Sequence, residues 1–138
     1  MALPCDKRAF TSTVAYDPAM GGQNAEHKQV ANSCADPKGW LLVRARVQTD
    51  LEAMQDQLRT ITGNPDLSIY IAYDKGADYE FRALVTRDDM KAYLAAQVDE
   101  IDYGSHFKEV VKAHATQSHE RYSAMIKVWS AMEVLQPH

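Results

Sequence analysis

The chain has 138 residues, of which 46% are hydrophobic and 25% are charged, and this is ordinary for one folded domain with its own core. Its formal net charge of −4 argues against a protein that binds bulk nucleic acid through overall positive charge. No apolar run approaches the roughly 20 residues that a membrane span needs, and the chain begins without a signal-peptide pattern, so we expect a cytoplasmic protein.

The first third of the chain predicts two strands separated by a long loop. Residues Phe10–Tyr16 alternate in polarity and are rich in β-branched and aromatic side chains, which favours a strand. Asp17–Gly39 holds Asp-Pro and Gly-Gly pairs and few large apolar residues, and we expect a disordered loop there. Trp40–Val47 is the clearest strand, and its alternation separates two sets of side chains: Leu41, Val43, Ala45 and Val47 on one face, and Leu42, Arg44 and Arg46 on the other.

The middle of the chain predicts a helix and then a hairpin. Thr49 and Glu52 have the spacing of a capping box and precede an apolar helical stripe that Gly63 ends. Leu67–Tyr73 predicts a strand, and a turn containing Gly76 connects it to a partner strand at Tyr79–Thr86. The alternation of this partner strand predicts two faces: Tyr79, Phe81, Ala83 and Val85 on one, and Glu80, Arg82 and Leu84 on the other.

The last part of the chain predicts helices. Thr86 and Asp89 have capping spacing, and the helix they open carries a stripe of apolar residues: Met90, Tyr93, Leu94, Val98 and Ile101. A short helix beginning near Ser105 and a final helix after a polar break at 115–118 follow, the latter with its own stripe: Tyr122, Met125, Trp129, Met132 and either Val128 or Leu135. We expect a single α+β domain with residues 1–9 as a loose terminus. Its core is a mostly antiparallel sheet of about four strands, with helices packed on one face and concentrated at the C-terminus.

Four segments in order, VRARVQTDLE, DYEFR, IDYGSHFK and RYSAMIKVWSAM, resemble a family of small bacterial and phage-borne proteins over about residues 40–136. Family members show Asp-Tyr-x-Asn-Phe-Lys where this chain has one added residue and no Asn at 102–108, so no role of that Asn is carried over. Size and strand-helix order are also similar to the phage anti-Thoeris sponge proteins, which sequester cyclic nucleotide signals of bacterial immunity. The resemblance implies a non-enzymatic binding protein that takes up a nucleotide-like signal or blocks a host defence protein.

Two clusters of basic and aromatic residues suit a phosphate-bearing partner. In the first cluster, we expect Arg44, Arg46 and Arg82 to project from the sheet face away from the helices, with Tyr70 between them. Such a face suits phosphate because each guanidinium group presents a planar fork of hydrogen-bond donors. The alternative is that these arginines are solvated and pair with Glu80 and other carboxylates. The second cluster would stack an aromatic base and place cations near phosphate, and its members are Tyr103, His106, Phe107, Lys108 and Arg121. Here the alternative is that the two aromatic residues anchor the core.

Other chemistry finds little support in the sequence. The spacings of His106, His114 and His119 do not match a metal-binding helix face, and nucleophile, P-loop and dinucleotide motifs are absent, so we expect neither metal nor cofactor. A small hydrolase with His106 or His114 as general base remains as an alternative function. A structural or regulatory protein that forms a homo-oligomer through the stripe of the final helix is another. Cys5 and Cys34 predict two free thiols, with a disulfide as the alternative.

Overall fold

A computed structural model describes residues 11–17, 27, 39–101 and 119–137. These residues fall into two compact units, the first made of the described residues up to 101 and the second of residues 119–137. The first unit contains a four-stranded antiparallel sheet with two helices, and the second contains one helix followed by a 3-10 turn. The predicted α+β class is confirmed. That the chain forms one domain stays a prediction, and the predicted loose terminus and the short helix near Ser105 lie outside the described residues.

The sheet has the strand order β1-β2-β4-β3, so that β2 and β4 are its two central strands. The bounds of the strands are Ser12–Ala15 for β1, Trp40–Ala45 for β2, Ile71–Tyr73 for β3 and Phe81–Thr86 for β4. The predicted hairpin is confirmed, since β3 and β4 pair in sequence order. The strand predicted at Leu67–Tyr73 is shortened to three residues, and β4 begins two residues later than predicted.

The first helix, α1, spans Gln48–Thr62 and ends at Gly63, whose φ of 68° is the left-handed conformation that glycine tolerates. The capping box predicted for its start is wrong. The residue that caps the helix is Val47, which makes no side-chain capping bond, and Thr49 already lies within the first turn. The Glu52 carboxylate instead accepts a 3.0 Å hydrogen bond from the side-chain amide of Gln48 on the neighbouring turn.

The second helix, α2, spans Arg87–Asp99, and its predicted cap is confirmed because the Thr86 hydroxyl accepts a 3.1 Å bond from the Asp89 amide. The predicted stripe of α2 is only partly correct. Met90 and Tyr93 are buried as expected, but three of the predicted residues are largely exposed: Leu94, Val98 and Ile101. The third buried position is Gln97, whose amide nitrogen donates a 2.6 Å hydrogen bond to Gln57 of α1.

The main core lies between α1, α2 and one face of the sheet, which we call the first face. Its fully buried members come from β2, β4 and α1 in the predicted alternation: Val43, Ala45, Ala83, Val85, Leu51, Met54 and Leu58. A smaller apolar cluster lies on the second face, where Trp40 and Leu42 pack against buried Tyr16 and Leu84. The buried Tyr16 hydroxyl has no hydrogen-bond partner among residues 11–17, 27, 39–101 and 119–137. Desolvation by burial raises the pKa of this phenol, and the nearby Asp17 charge raises it further.

The second unit consists of the helix α3, His119–Met132, and the 3-10 turn Glu133–Leu135. The final helix is present as predicted, and the polar break predicted at 115–118 lies outside the described residues. Its first half carries half-buried Tyr122 and Met125. The apolar residues of its second half and of the turn are exposed: Val128, Trp129, Met132, Val134 and Leu135.

Candidate functional site

Two arginines stand directly opposite each other on the central strands of the sheet. In the antiparallel register of β2 and β4, Arg44 is the cross-strand partner of Arg82. Both lie on the second face, because their neighbours Val43 and Ala83 point into the main core. Directly opposed side chains have their Cβ atoms about 5 Å apart, and two like charges at that position destabilise the sheet. The predicted approach of these two arginines is therefore present in the structure.

A tyrosine ring links Arg44 to the third predicted arginine. The guanidinium carbon of Arg44 lies 4.8 Å from the centroid of the Tyr79 ring, and that of Arg46 lies 5.0 Å from the same centroid. Both distances are within the range of a cation–π interaction. The backbone carbonyl of Tyr79 also accepts a 3.3 Å hydrogen bond from Arg82 Nε. Tyr79 therefore contacts all three arginines, and we call Arg44, Arg46, Arg82 and Tyr79 the arginine cluster.

The neighbouring strand β1 adds a hydroxyl to the arginine cluster. Ser12 is the partner of Arg44 on its other side, and its Oγ accepts a 2.8 Å hydrogen bond from Arg44 Nη2. The hydroxyl proton of Ser12 is then available to a second acceptor. Arg44 Nε is shielded from solvent and has no hydrogen-bond partner in the part of the chain that the structure describes. A buried donor without an acceptor is costly, so an acceptor that reached this atom would stabilise the site.

One carboxylate lies beside the arginine cluster. Asp74 Oδ2 is 3.8 Å from Arg82 Nη2, which is an ion pair at a distance longer than a hydrogen bond. The side chains are 27% exposed for Arg82 and 51% exposed for Asp74, so solvent screens the interaction. Within the described part of the chain, no carboxylate lies within 4.0 Å of the guanidinium group of Arg44 or Arg46.

Glu80 is the acidic residue that the alternative interpretation pairs with the arginines. Its carboxylate accepts a 3.2 Å hydrogen bond from the amide of Gly76, where φ is 87° and glycine is favoured. Partial burial raises the pKa of Tyr73, and the charge and hydrogen bond of Glu80 raise it further. Glu80 thus organises the loop between β3 and β4.

The aromatic ring predicted between the arginines was Tyr70, but the ring found beside them is Tyr79. The Tyr70 ring meets the His27 ring edge-on at 5.4 Å. His27 Nε2 lies 3.0 Å from the Tyr70 carbonyl oxygen, and because that oxygen accepts, His27 carries a proton on Nε2. His27 is buried, with 2% of its surface exposed, so the expectation of a disordered loop over residues 17–39 is wrong at this residue.

The second predicted cluster is represented by one described residue. Tyr103, His106, Phe107 and Lys108 lie outside the described residues, and Arg121 is half-buried in α3. His106 and His114, named for the hydrolase alternative, also fall outside that part. His119 is exposed at the start of α3. No group of three His, Cys, Asp or Glu residues capable of holding a metal ion occurs in residues 11–17, 27, 39–101 and 119–137.

Away from the arginine cluster, a depression with a volume of about 420 Å³ lies at the C-terminal end of α1. Its arginine, Arg59, is already engaged, since Nε donates to the Leu67 carbonyl at 2.7 Å and Nη1 contacts Asp56 at 3.2 Å. These bonds join α1 to the segment before β3. Arg59 therefore has a structural role at the edge of this depression.

Three residues of the site escaped sequence reasoning: Ser12, Asp74 and Tyr79. The alternation rule placed Tyr79 on the core face, but it precedes the first residue of β4, where the period of two no longer applies. Asp74 carried a signal, because it opens the predicted turn and a turn residue lies close to the strands it joins. Ser12 required the pairing of β1 with β2, which no local pattern reveals.

Neither a protein-family model, nor a curated protein, nor a solved structure matches the chain. The resemblance described from the four sequence segments therefore stays a prediction. Among the described residues, no helix combines the length and the apolar character needed to cross a bilayer.

Proposed function

We propose that the protein is a non-enzymatic binding protein whose arginine cluster takes a small phosphate-bearing anion. The observation that carries the proposal is the direct opposition of Arg44 and Arg82 across β2 and β4. Like charges at directly opposed positions are unfavourable in a sheet, and an anion between them turns the repulsion into two attractions. A bound phosphate group would therefore stabilise the strands that hold it.

The available donors fit phosphate. Arginine presents a planar fork of donors that can bind two phosphate oxygens at once, and these charge-assisted bonds are the stronger kind. Arg44 Nε has no acceptor among the described residues, and the Ser12 hydroxyl accepts from Arg44, so that its own proton can be donated. Tyr79 restrains Arg44 and Arg46 before any ligand arrives. Such preorganisation lowers the entropy lost on binding.

The same side chains favour binding over catalysis. Arginine remains protonated at physiological pH and cannot serve as a general base. The hydroxyl of Ser12 has an arginine as its partner, and a serine nucleophile requires a neighbouring base to remove its proton. In the proposed role the protein holds its ligand unchanged. That the ligand is a nucleotide-like signal of bacterial immunity, taken up in a host cytoplasm, is the part of the proposal supported by the resemblance alone.

A homo-oligomer interface is the second candidate, and the exposed apolar residues of α3 favour it. Val128 and Met132 are each 56% exposed at helical spacing, and Leu135 follows them at 70%. Contiguous apolar surface of this kind often marks a protein interface. Light scattering coupled to size exclusion, compared between the wild type and Val128→Ser/Met132→Ser, tests it. A monomeric wild type at micromolar concentration contradicts this candidate.

The binding proposal is tested by thermal-shift screening followed by calorimetry with cyclic dinucleotides, cyclic trinucleotides and isomers of cyclic ADP-ribose. A ligand that binds the folded protein raises the melting temperature by mass action. We expect Arg44→Gln to weaken the affinity roughly tenfold to a hundredfold, the loss typical of one hydrogen-bonded charge. Lys91→Gln, which removes an equal charge from the exposed surface of α2, is the matched control.

Two outcomes would contradict the proposal. One is that no phosphate-bearing compound in the panel shifts the melting temperature. The other is that Arg44→Gln binds a ligand as tightly as Lys91→Gln does. Recovery of the bound compound after denaturation distinguishes binding from hydrolysis, because a binder releases its ligand intact and an enzyme releases product.

A further inference from the structure

We propose that Asp74 is an internal counterion of the arginine cluster, which the ligand replaces, and that the ligand carries two negative phosphate charges. The inference rests on the proposed function and specifies its ligand. Three guanidinium groups carry three positive charges, and among the described residues Asp74 is the carboxylate that lies within 4.0 Å of one of them. Once the ligand has replaced Asp74, a dianion neutralises two of these charges and a monoanion neutralises one, so the cluster favours the dianion.

The backbone around Asp74 holds this carboxylate beside Arg82. The Asp74 amide donates a 2.7 Å hydrogen bond to the Glu80 carbonyl, and the Asp74 carbonyl accepts a 3.2 Å bond from the Ala77 amide. Both bonds are made by the backbone, so they fix the start of the loop without engaging the Asp74 carboxylate. The carboxylate is therefore placed near Arg82 by the loop and remains free to rotate away.

The distance between the two side chains leaves room for a competitor. At 3.8 Å, Asp74 Oδ2 compensates the charge of Arg82 but lies beyond hydrogen-bond distance of its Nη2 atom. Arg82 Nε is anchored on the Tyr79 carbonyl, so the guanidinium group keeps its position when Asp74 departs. A phosphate oxygen that approached to about 2.8 Å would make the stronger, charge-assisted bond. Asp74 would then move into solvent, where half of its side chain already lies.

Compounds that carry two phosphate charges include a phosphomonoester and a molecule with a pair of phosphodiesters. Adenosine 5′-monophosphate represents the first kind, and cyclic di-AMP represents the second. Adenosine 3′,5′-cyclic monophosphate is the monoanion for comparison, because it has the same base and sugar as adenosine 5′-monophosphate. It carries one charge at pH 7.5, since only a phosphomonoester has a second ionisation near pH 6. We expect the wild type to bind one of the two dianions at least tenfold more tightly than the monoanion.

Replacing Asp74 tests its role as counterion. Asp74→Asn removes the repulsion between the ligand and a carboxylate about 7 Å away in water. By Coulomb's law this should raise the affinity roughly threefold for a monoanion and roughly eightfold for a dianion. Asp78→Asn removes the same charge from an exposed position of the same loop and should change either affinity less than twofold. Isothermal titration calorimetry at 50 mM salt measures all three proteins, and circular dichroism confirms that each is folded.

The results separate this inference from the proposed function. If the monoanion binds the wild type as tightly as both dianions, or if Asp74→Asn behaves as Asp78→Asn does, the inference is overturned. The proposed function survives that result provided that binding is still weakened by Arg44→Gln. If none of the three nucleotides binds the wild type, the inference is overturned, and the proposed function is overturned as well when no other phosphate-bearing compound of the screening panel shifts the melting temperature.

Discussion

The opposition of Arg44 and Arg82 predicts a repulsion that can be measured without any ligand. Their guanidinium groups are about 7 Å apart if the side chains run parallel from opposed positions, with Cβ atoms about 5 Å apart. Coulomb's law at that separation gives about 0.6 kcal/mol with the dielectric constant of water and about 2.4 kcal/mol with an effective value near 20. Because both side chains are partly solvated, we expect about 1 kcal/mol at low salt.

A double-mutant cycle isolates this repulsion from the other contacts of the two residues. Arg44→Gln alone also loses the Ser12 hydrogen bond and the Tyr79 ring contact, so its own effect on stability mixes several contributions. Arg82→Gln should increase the free energy of unfolding by about 1 kcal/mol more in the wild-type background than in the Arg44→Gln background. Urea denaturation at 20 mM NaCl provides the four free energies.

The fluorescence of Trp40 reports on the sheet itself, because this residue begins β2. The chain has two tryptophans, so all variants are made in a Trp129→Phe background that removes the signal from α3. Raising NaCl to 1 M should abolish the coupling, because the Debye length falls to about 3 Å. A cycle of Arg44 with Lys91 of α2 is the control and should show coupling below about 0.3 kcal/mol. A coupling of zero at low salt, or one that salt leaves unchanged, refutes the assignment of like-charge repulsion.

Three further predictions concern the stability of the first unit. Thr86→Ala should lower the free energy of unfolding by about 1 kcal/mol in urea denaturation, because it removes the cap of α2. Gly63→Ala should cost about 1 kcal/mol by the same measurement, because a side chain at φ of 68° is strained although no atom lies within 4 Å. Tyr16→Phe should keep or raise stability at pH 7 by up to about 1 kcal/mol, since it removes a buried hydroxyl without a partner. In the wild type, the pKa of Tyr16 is higher in the folded than in the unfolded state. The wild type should therefore lose stability as pH rises from the unfolded value of 10.0 through the folded value, and Tyr16→Phe should lose less over the same range.

Each of these predictions has a control in the same chain. For Thr86 it is Thr49→Ala, which should be nearly neutral because Thr49 lies inside α1 and does not cap it. Gly63→Asn should cost less than Gly63→Ala, because asparagine tolerates the left-handed conformation better. Equal losses in either pair contradict the stated cause. For Tyr16, the cause is contradicted if the alkaline limbs of the wild type and Tyr16→Phe coincide.

Local patterns predicted most of the fold because several of them agreed. The cap at Thr86, the left-handed residue at Gly63 and the alternation of Val43 and Ala45 each depend on a few neighbouring residues, and each is confirmed. The capping box at Thr49 had the correct spacing but failed. The residue that caps the helix is Val47, two residues earlier than Thr49, and Gln48 engages the glutamate that was needed. Spacing alone cannot decide which of two adjacent polar residues opens a helix.

The arginine cluster was predictable in part for a similar reason. Alternation placed Arg44 and Arg82 on one face, and strand pairing then brought them together. The contacts of Tyr79 depend on the conformation of the loop that leads into β4. Alternation of side chains predicts orientation only within a strand, so it could not predict these contacts. Gln97 shows the same limit for helices. Its amide is buried because a partner, Gln57, lies across the helix interface, and a count of apolar residues cannot find such a pair.

The amide pair between α1 and α2 also determines how far these helices can shift. Buried Gln97 donates to Gln57, so sliding one helix past the other by a turn would remove the partner of the buried Gln97 amide nitrogen. The two helices should therefore move as one rigid platform beneath β2 and β4. A ligand on the opposite side of the sheet would then meet cationic groups whose separation is set in advance, and its recognition would depend on the spacing of its own charges.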